Sequence, residues 1–254
     1  MSMQDFITIR QMFRTRPIVI GTLEEIAGSR CWFHQDDSIS EFCRLLDLDA
    51  AALMGRLLEL PPTPERSDWK SIPLYHLADH LTENHHHFRS HHLQAVQLIF
   101  DSPDFQSRAH AKILAPIHAE FESFKQNFLW HMDEEEGFLF PKALRTEACV
   151  RHGDLYPEVF KGSVRMYSSS QIHSPEETFK HMLESLIIRV RALVEGNVRA
   201  SRIGEAIHSL KAFQSKLIVH IGLESEILFP RAIALEEHLK KRALDSAPQA
   251  VTIS

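Results

Sequence analysis

The sequence predicts an all-α protein, and three observations support this prediction. The chain of 254 residues contains only 9 glycines and 12 prolines, which suits long helices better than the many turns of a sheet protein. Apolar residues recur at intervals of three and four, which is the spacing of one helix face. Histidine and glutamate recur in an i, i+4 pattern within a repeated frame. We expect an up-down-up-down four-helix bundle preceded by a small helical N-terminal domain.

The composition is typical of a soluble intracellular protein that binds neither nucleic acid nor a membrane. The formal net charge is -6 with histidine neutral, and the chain has no run of basic residues. No apolar run reaches the length that spans a bilayer, and the N-terminus lacks the features of a signal peptide. The scattered Cys31, Cys43 and Cys149 form neither an even framework nor a Cys-x-x-Cys motif. We therefore expect a cytoplasmic location.

The first part of the chain is expected to form the small helical domain. Ser38 and Asp49 each precede an amphipathic segment, and these residue types cap helix N-termini well. The proline-rich stretch that follows predicts a short stiff linker. The expected division is a helical N-terminal domain at 1–60, a linker at 61–67, the four-helix bundle at 68–240 and a flexible C-terminal tail at 241–254.

Four long amphipathic segments predict the helices of the bundle. The third has the clearest start, because Ser174 is a good N-cap and Pro175 suits the first helical turn. We expect the second and fourth helices to end at Pro141 and Pro230, because proline lacks the backbone N–H that continues a helix. The helices are expected at residues 71–100, 110–140, 174–195 and 201–229, with an irregular stretch at 145–173 between the second and the third.

A duplicated motif indicates a metal centre inside this bundle. The segment that begins at His131 reads HMDEEEGFLFP, and the segment that begins at His220 reads HIGLESEILFP. A glutamate follows each histidine by four residues, Glu135 in the first copy and Glu224 in the second, so each pair lies on one helix face. The shared Leu-Phe-Pro ending supports homology between the two helices. Two helices that each carry such a pair can hold two metal ions.

The other two helices are expected to supply histidine ligands at a similar depth. In the third helix His181 lies inside the helix, whereas His173 precedes the Ser174 cap and would lie in the loop. His181 is therefore the preferred ligand. In the first helix the adjacent His85 and His86 both lie at a suitable depth, and the apolar phase of the helix favours His85.

Four imidazoles with two carboxylates form the ligand set of a bridged dinuclear site. This set suits iron better than manganese or zinc, because no thiolate partner is expected on these helix faces. Di-iron carboxylate sites are built in the cores of four-helix bundles by the same inward projection. A histidine-rich version leaves an open position for a small ligand such as dioxygen or nitric oxide. We expect about two iron ions per chain, bridged by the carboxylates with or without an oxo group.

With these motifs the chain resembles the hemerythrin-like di-iron proteins and, among them, the repair-of-iron-centres family. The resemblance covers most of the chain and includes the segment DWKSIPL at residues 68–74. It is most specific in the segment LIVHIGLE at residues 217–224. Register against the family favours His86 over His85 in the first helix. The metal ligands that the resemblance implies are His86, His131, Glu135, His181, His220 and Glu224.

The resemblance implies a stress-response protein that helps to repair iron-sulfur clusters after nitrosative or oxidative damage, by releasing iron or by reacting with nitric oxide. Damaged iron-sulfur proteins would be its clients, and a homodimer is one expected assembly. The family carries a Cys-Cys pair in the N-terminal domain, whereas this chain has only Cys31 there, in the segment RCWFH. Two other readings stay open: a hemerythrin-like module that binds or senses dioxygen or nitric oxide without turnover, and a di-iron enzyme that reduces a small molecule.

Overall fold

Every regular element in the described part of the chain is helical. The computed structural model describes residues 7–28, 30–103, 105, 111–154, 175–195 and 202–246, and no strand occurs among them. The all-α class predicted from the sequence is therefore confirmed for this part of the protein. None of the helices in these ranges is long and apolar enough to cross a membrane.

Five short helices occupy the N-terminal segment, and two of them begin at the predicted caps. The Ser38 side chain accepts a hydrogen bond from the backbone N–H of Glu41. The Asp49 carboxylate accepts two, from the backbone N–H groups of Ala51 and Ala52. These bonds satisfy donors that a helix start leaves unpaired. The helices are α1 (Ile9–Thr15), α2 (Val19–Ala27), α3 (Arg30–Phe33), α4 (Ile39–Leu46) and α5 (Ala50–Glu59).

The four predicted long helices are present and begin close to their predicted starts, and three of them contain or adjoin a segment of π-helix. The predicted linker at 61–67, which precedes them, is not helical. The elements are α6 (Leu74–His87), π1 (Phe88–Leu93), α7 (Gln94–Phe100), α8 (Ala111–Glu134), π2 (Glu135–Leu139), α9 (Phe140–His152), α10 (Pro175–Glu195), α11 (Ile203–Leu223), π3 (Glu224–Leu228) and α12 (Phe229–Ser246).

The chain does not leave the helical conformation at Pro141 and Pro230, contrary to the prediction. Each proline lies in the first turn of a new α segment, α9 or α12, where its missing N–H costs little. The π segment before it changes the backbone pairing to i→i+5 and so relieves the clash between the proline ring and the preceding turn. As a result, α9 extends into the predicted irregular stretch at 145–173. Likewise α12 extends into the predicted tail at 241–254, and residues 155–173 and 247–254 lie outside the described residues.

The chain divides into two compact units. The first unit spans Met1–Thr82, Glu136–Ser168 and Ser225–Ser254, and so joins the N-terminal helices with α9 and α12. The second spans Glu83–Glu135 and Ser169–Glu224, which carry π1, α7, α8, α10 and α11. The predicted division into an N-terminal domain, a linker, a bundle and a tail stays a prediction.

Two buried glutamates and two more exposed arginines form a network that connects distant parts of the first unit. The Glu147 carboxylate accepts hydrogen bonds from Arg151 at 2.8 Å and from Arg231 at 3.1 Å. It also accepts one from the backbone N–H of Leu74 at 2.8 Å. The buried Glu24 pairs with the same Arg151. Because loss of one partner would leave a buried charge uncompensated, the network ties α2 and α9 to the start of α6.

An aromatic cluster forms the centre of the core of the second unit. Phe124 and Phe128 of α8 stack with their ring centroids 5.5 Å apart. Phe213 of α11 lies 5.6 Å from each of them. Phe88 of π1 and Phe179 of α10 lie 5.6 Å and 5.2 Å from Phe128. Each long helix of this unit therefore contributes a ring to one cluster.

Replacing Phe128 by alanine is expected to lower the free energy of unfolding by about 3–5 kcal/mol, because its ring is 1% exposed and touches rings from the other three helices. Trp130 is the matched control, since it lies on the same helix and is 64% exposed. Trp130→Ala should change the same free energy by less than about 0.5 kcal/mol. Urea unfolding followed by circular dichroism measures the free energy of unfolding of both variants. Equal losses of this free energy in the two variants would contradict the described core.

Candidate metal centre

Five ligand-type side chains of the second unit converge in its interior. His85, Glu135 and Glu224 are 0% exposed, His220 is 2% exposed and His131 is 8% exposed. One ligand atom from each of His85, Glu135, His220 and Glu224 lies within 4.8 Å of the others. His131 joins them through its contact with Glu135. The cluster contains both His-x-x-x-Glu pairs of the duplicated motif.

The Glu135 carboxylate lies between two imidazoles. Its Oε2 is 3.4 Å from Nε2 of His85, and its Oε1 is 3.3 Å from Nε2 of His131. Each carboxylate oxygen therefore faces a different histidine, and the two histidines come from different helices. This is the arrangement required of a carboxylate that bridges two ions.

Glu224 holds the equivalent place in the second copy of the motif. Its Oε1 lies 3.0 Å from Nε2 of His220. His220 Nε2 in turn lies 3.1 Å from Nε2 of His85, and the two rings are tilted by 52°. Since the contacts of all three histidines are made through Nε2, this nitrogen is the candidate ligand atom of each.

Both glutamates occupy the first position of a π-helical segment. Glu135 begins π2 and Glu224 begins π3, while π1 begins shortly after His85. Single π-helical turns inside α-helices are rare and are concentrated at functional sites. Sequence reasoning missed these segments. The signal that could have revealed them is a proline shortly after each glutamate, within an apolar pattern that continues beyond Pro141 and Pro230.

Aromatic side chains of the core close around the cluster. The Phe179 ring lies 5.1 Å from the imidazole of His131. The Phe88 ring meets His220 edge-on, with the centroids 5.3 Å apart. Both phenylalanines are buried. Such a lining excludes water and strengthens every charge interaction inside the site.

Burial keeps two of the imidazoles neutral. It lowers the pKa of His85 well below the usual value, and repulsion from a charged His220 acts in the same direction. Burial also lowers the pKa of His131, although the Glu224 carboxylate opposes this effect. For Glu224 burial by itself would raise the pKa, but His220, His85 and His131 together act against burial and the pKa is lowered. Burial therefore favours the neutral imidazole of His85 and of His131, which is the protonation state of histidine that binds a metal ion.

The donor set fits a divalent metal centre. Two carboxylates are completely buried, and among the described residues neither oxygen of Glu224 has a hydrogen-bonding partner of good geometry. An ionised carboxylate in such a place is costly unless a cation compensates it. Since His85 and His131 stay neutral, cations from solution are the natural compensation. Imidazole nitrogen with carboxylate oxygen suits iron, manganese or zinc.

Two of the predicted ligands lie elsewhere. His86 is on the surface, with a side chain that is 46% exposed and with Nδ1 3.7 Å from Glu83, so the structure brings His85 to the cluster in its place. His181 has a side chain that is 75% exposed. The inward positions of its helix are Phe179 and Leu183, and a residue midway between them along the chain points outward.

The alternative ligand that the sequence analysis considered for the third helix is His173. His173 lies outside the described residues. The ligand set inferred from the sequence as a whole stays a prediction, of which the structure brings together His85, His131, Glu135, His220 and Glu224.

The chain is similar to proteins named iron-sulfur cluster repair protein YtfE. It is 26% identical over 200 residues to the one from Salmonella schwarzengrund (strain CVM19633), and the alignment covers 75% of this chain and 80% of that protein. The proteins of that name from Salmonella newport (strain SL254) and Salmonella heidelberg (strain SL476) are 26% identical over 202 residues with the same coverage. No family model matches the chain. The similarity supports the resemblance that the motifs indicated.

Glu224→Ala is expected to remove more than one ion's worth of the metal bound by each chain, because a carboxylate shared by two ions compensates the charge of both. Glu226 is the matched control, since it is exposed in the same π3 segment. Inductively coupled plasma mass spectrometry of protein purified from iron-replete cells measures the metal content of each variant. After chelation, Glu224→Ala should unfold at no lower urea concentration than the wild type, because it removes a buried charge. Normal metal content in Glu224→Ala would contradict the assignment.

His85→Gln is expected to lower the metal content, whereas His86→Gln should leave it unchanged. The reason is that His85 is fully buried against Glu135 and His220, while His86 points to solvent. The same metal analysis decides the question, with circular dichroism as the check on folding. The opposite pattern, metal lost only in His86→Gln, would mean that the helix is rotated relative to the described structure.

Proposed function

We propose that the protein is a non-haem di-iron protein that takes part in the repair of iron-sulfur clusters damaged by nitrosative or oxidative stress. The observation that carries the proposal is the buried group of imidazoles around two carboxylates, built on a motif that the chain carries twice. The similar proteins are named iron-sulfur cluster repair proteins, and this name supplies the biological role. Damaged iron-sulfur proteins of the cytoplasm are the proposed clients.

The proposed architecture of the metal-binding part is an up-down-up-down four-helix bundle. Its first helix would comprise α6, π1 and α7, and the other three would be α8, α10 and α11. Packing within the second unit supports this arrangement, because α10 contacts both α8 and α11, and α11 contacts α7 and π1. Di-iron carboxylate sites are built in such bundles from side chains that project inward from facing helices.

We assign the bridging role to the two glutamates. Glu135 would join an ion near His131 to an ion near His85, since each of its oxygens faces one of these imidazoles. Glu224 would do the same with His220 as its neighbour. The proposed ligand set of three imidazoles and two carboxylates has a charge of two negative units, which suits two divalent iron ions. It would also leave a coordination position open.

None of the five clustered side chains comes from the third helix. His181 faces away from the interior in the described structure. His173, the alternative offered by the sequence, precedes α10, which begins at Pro175. The metal content of His173→Ala beside that of His181→Ala decides between them.

Iron held by this set would supply ions for the rebuilding of a damaged cluster and a position that takes up nitric oxide or dioxygen. The residues of the chain set the conditions for both. His85 and His131 stay neutral and therefore bind without first losing a proton. The two carboxylates would hold the ions electrostatically, and Phe88 and Phe179 keep bulk water away from the imidazoles.

Thiol chemistry in the N-terminal segment is not part of the proposed mechanism. The Cys31 side chain is 0% exposed, and its Sγ lies 3.3 Å from the carbonyl oxygen of Gly28. Burial, reinforced by the charge of Glu24, raises the pKa of the thiol far above the usual value. A thiol of this kind is unreactive. Repair would therefore depend on the His and Glu cluster alone.

The iron-loaded full-length protein is expected to restore the activity of an iron-sulfur enzyme whose cluster has been damaged with nitric oxide. Glu135→Ala should fail to restore it, because the variant lacks the bridging carboxylate, whereas Glu226→Ala should act like the wild type. Recovered enzyme activity is the measurement, with ferrous iron at a matched concentration as the control for simple iron release. A protein that contains iron and binds nitric oxide but restores no more activity than free iron would favour the binding module over the repair function.

A further inference from the structure

A second group of histidines lies on the outside of the same helix. His87 and His91 are both exposed, at the junction of α6 and π1. Their rings lie side by side, with centroids 4.6 Å apart and planes inclined by 34°. The spacing of i, i+4 places both imidazoles on one helix face. Neither residue belongs to the buried cluster or to the ligand set proposed for it.

Ser90 fixes the orientation and the tautomer of His91. Its Oγ lies 2.7 Å from the carbonyl oxygen of His86, and a carbonyl oxygen can only accept, so the serine hydroxyl donates there. The same Oγ lies 2.7 Å from Nδ1 of His91 and must accept from it. His91 is therefore protonated at Nδ1 and carries its free lone pair on Nε2. Histidines that bind metals are oriented by this kind of hydrogen bond from the other ring nitrogen.

We propose that His87 and His91 form a second metal site, on the surface of the protein, which binds one divalent transition-metal ion of the zinc and copper class. Each histidine provides one imidazole nitrogen, and water molecules complete the coordination. Imidazole is a preferred ligand of both ions. The pair is already placed on one face, so little side-chain freedom is lost on binding.

The charges around the pair favour a cation. Glu83 lies one helical turn before His87, and its side chain is 49% exposed. The nearest basic residue along the helix, Arg89, donates to Asp133 at 2.9 Å and is thereby compensated. A divalent ion at His87 and His91 would thus meet a carboxylate on one side and no uncompensated positive side chain of this helix on the other.

The surface site is chemically distinct from the buried cluster. His85 is 0% exposed and contacts Glu135 and His220, whereas His87 and His91 face solvent. A metal ion can reach the surface pair without entering the core, and an exposed pair of neutral ligands binds more weakly than a buried set with two carboxylates. The proposal therefore rests on contacts of its own, and only its test uses the iron binding proposed for the buried cluster.

Isothermal titration of the iron-loaded protein with zinc chloride tests this site, because the buried cluster is then already filled. The wild type should bind one additional zinc ion per chain. His87→Gln and His91→Gln should each abolish this binding. Ser90→Ala should weaken it by about tenfold, since loss of a residue that orients a ligand has effects of this size. His208→Gln is the matched control, an exposed histidine on α11 with no histidine one turn away, and should bind zinc like the wild type.

A second measurement identifies the ligands directly. Cupric ion added to the iron-loaded wild type should give an electron paramagnetic resonance spectrum with coupling to two nitrogens, and His87→Gln should lose this two-nitrogen coupling. Unchanged circular dichroism and iron content would show that the variants are folded. Zinc binding by His87→Gln and His91→Gln at the wild-type affinity, or no additional zinc bound by the wild type, would overturn the proposal.

Discussion

The burial of two carboxylates in one aromatic-lined interior is the constraint on which the rest of the second unit depends. Glu135 and Glu224 are 0% exposed, and each ionised carboxylate taken out of water costs several kcal/mol unless it is compensated. The neighbouring imidazoles compensate only in part, because burial lowers the pKa of His85 and of His131. A chain stabilised by its own contacts alone would gain by replacing these groups with apolar ones. Their presence at equivalent positions of two helices indicates a site that binds cations.

The same constraint accounts for the irregular backbone at the site. In both copies of the motif the helix is α up to the residue before the glutamate and π from the glutamate onward. A π turn sacrifices regular pairing and good packing, so two of them at equivalent positions require a reason beyond stability. The extra residue in each π turn lies beyond the glutamate and admits Pro141 or Pro230 into the following turn. The two copies of the sequence motif therefore each form a π-helical turn at the same position.

The sequence predicted where the helices lie along the chain better than it predicted which side chains point into the core. The first depends on short-range residue preferences, and the second depends on the rotation of each helix about its axis. The caps at Ser38 and Asp49 and the positions of the four long helices follow from short-range residue preferences. The two His-x-x-x-Glu pairs follow from spacing alone. The depth of His181 along the helix favours it as a ligand but does not show where its side chain points. Because Phe179 and Leu183 are buried on the inward face of this helix, the side chain of His181 points outward. Apolar phase likewise indicated His85, whereas register against relatives indicated His86.

The same helix therefore carries the buried His85 and the exposed pair of His87 and His91 on different faces. Each face offers a metal ion a different environment. His85 shares the face of Leu81 and Phe88, which packs into the core, so its imidazole is desolvated and surrounded by fixed charges. His87 and His91 lie on the opposite, solvated face, where water competes for the ion and screens its charge. Desolvation makes the inner site selective and slow to exchange, because ion and ligands must both lose water. The outer site lacks this cost and therefore exchanges quickly, so the two sites differ in kinetics even where they use the same ligand atom.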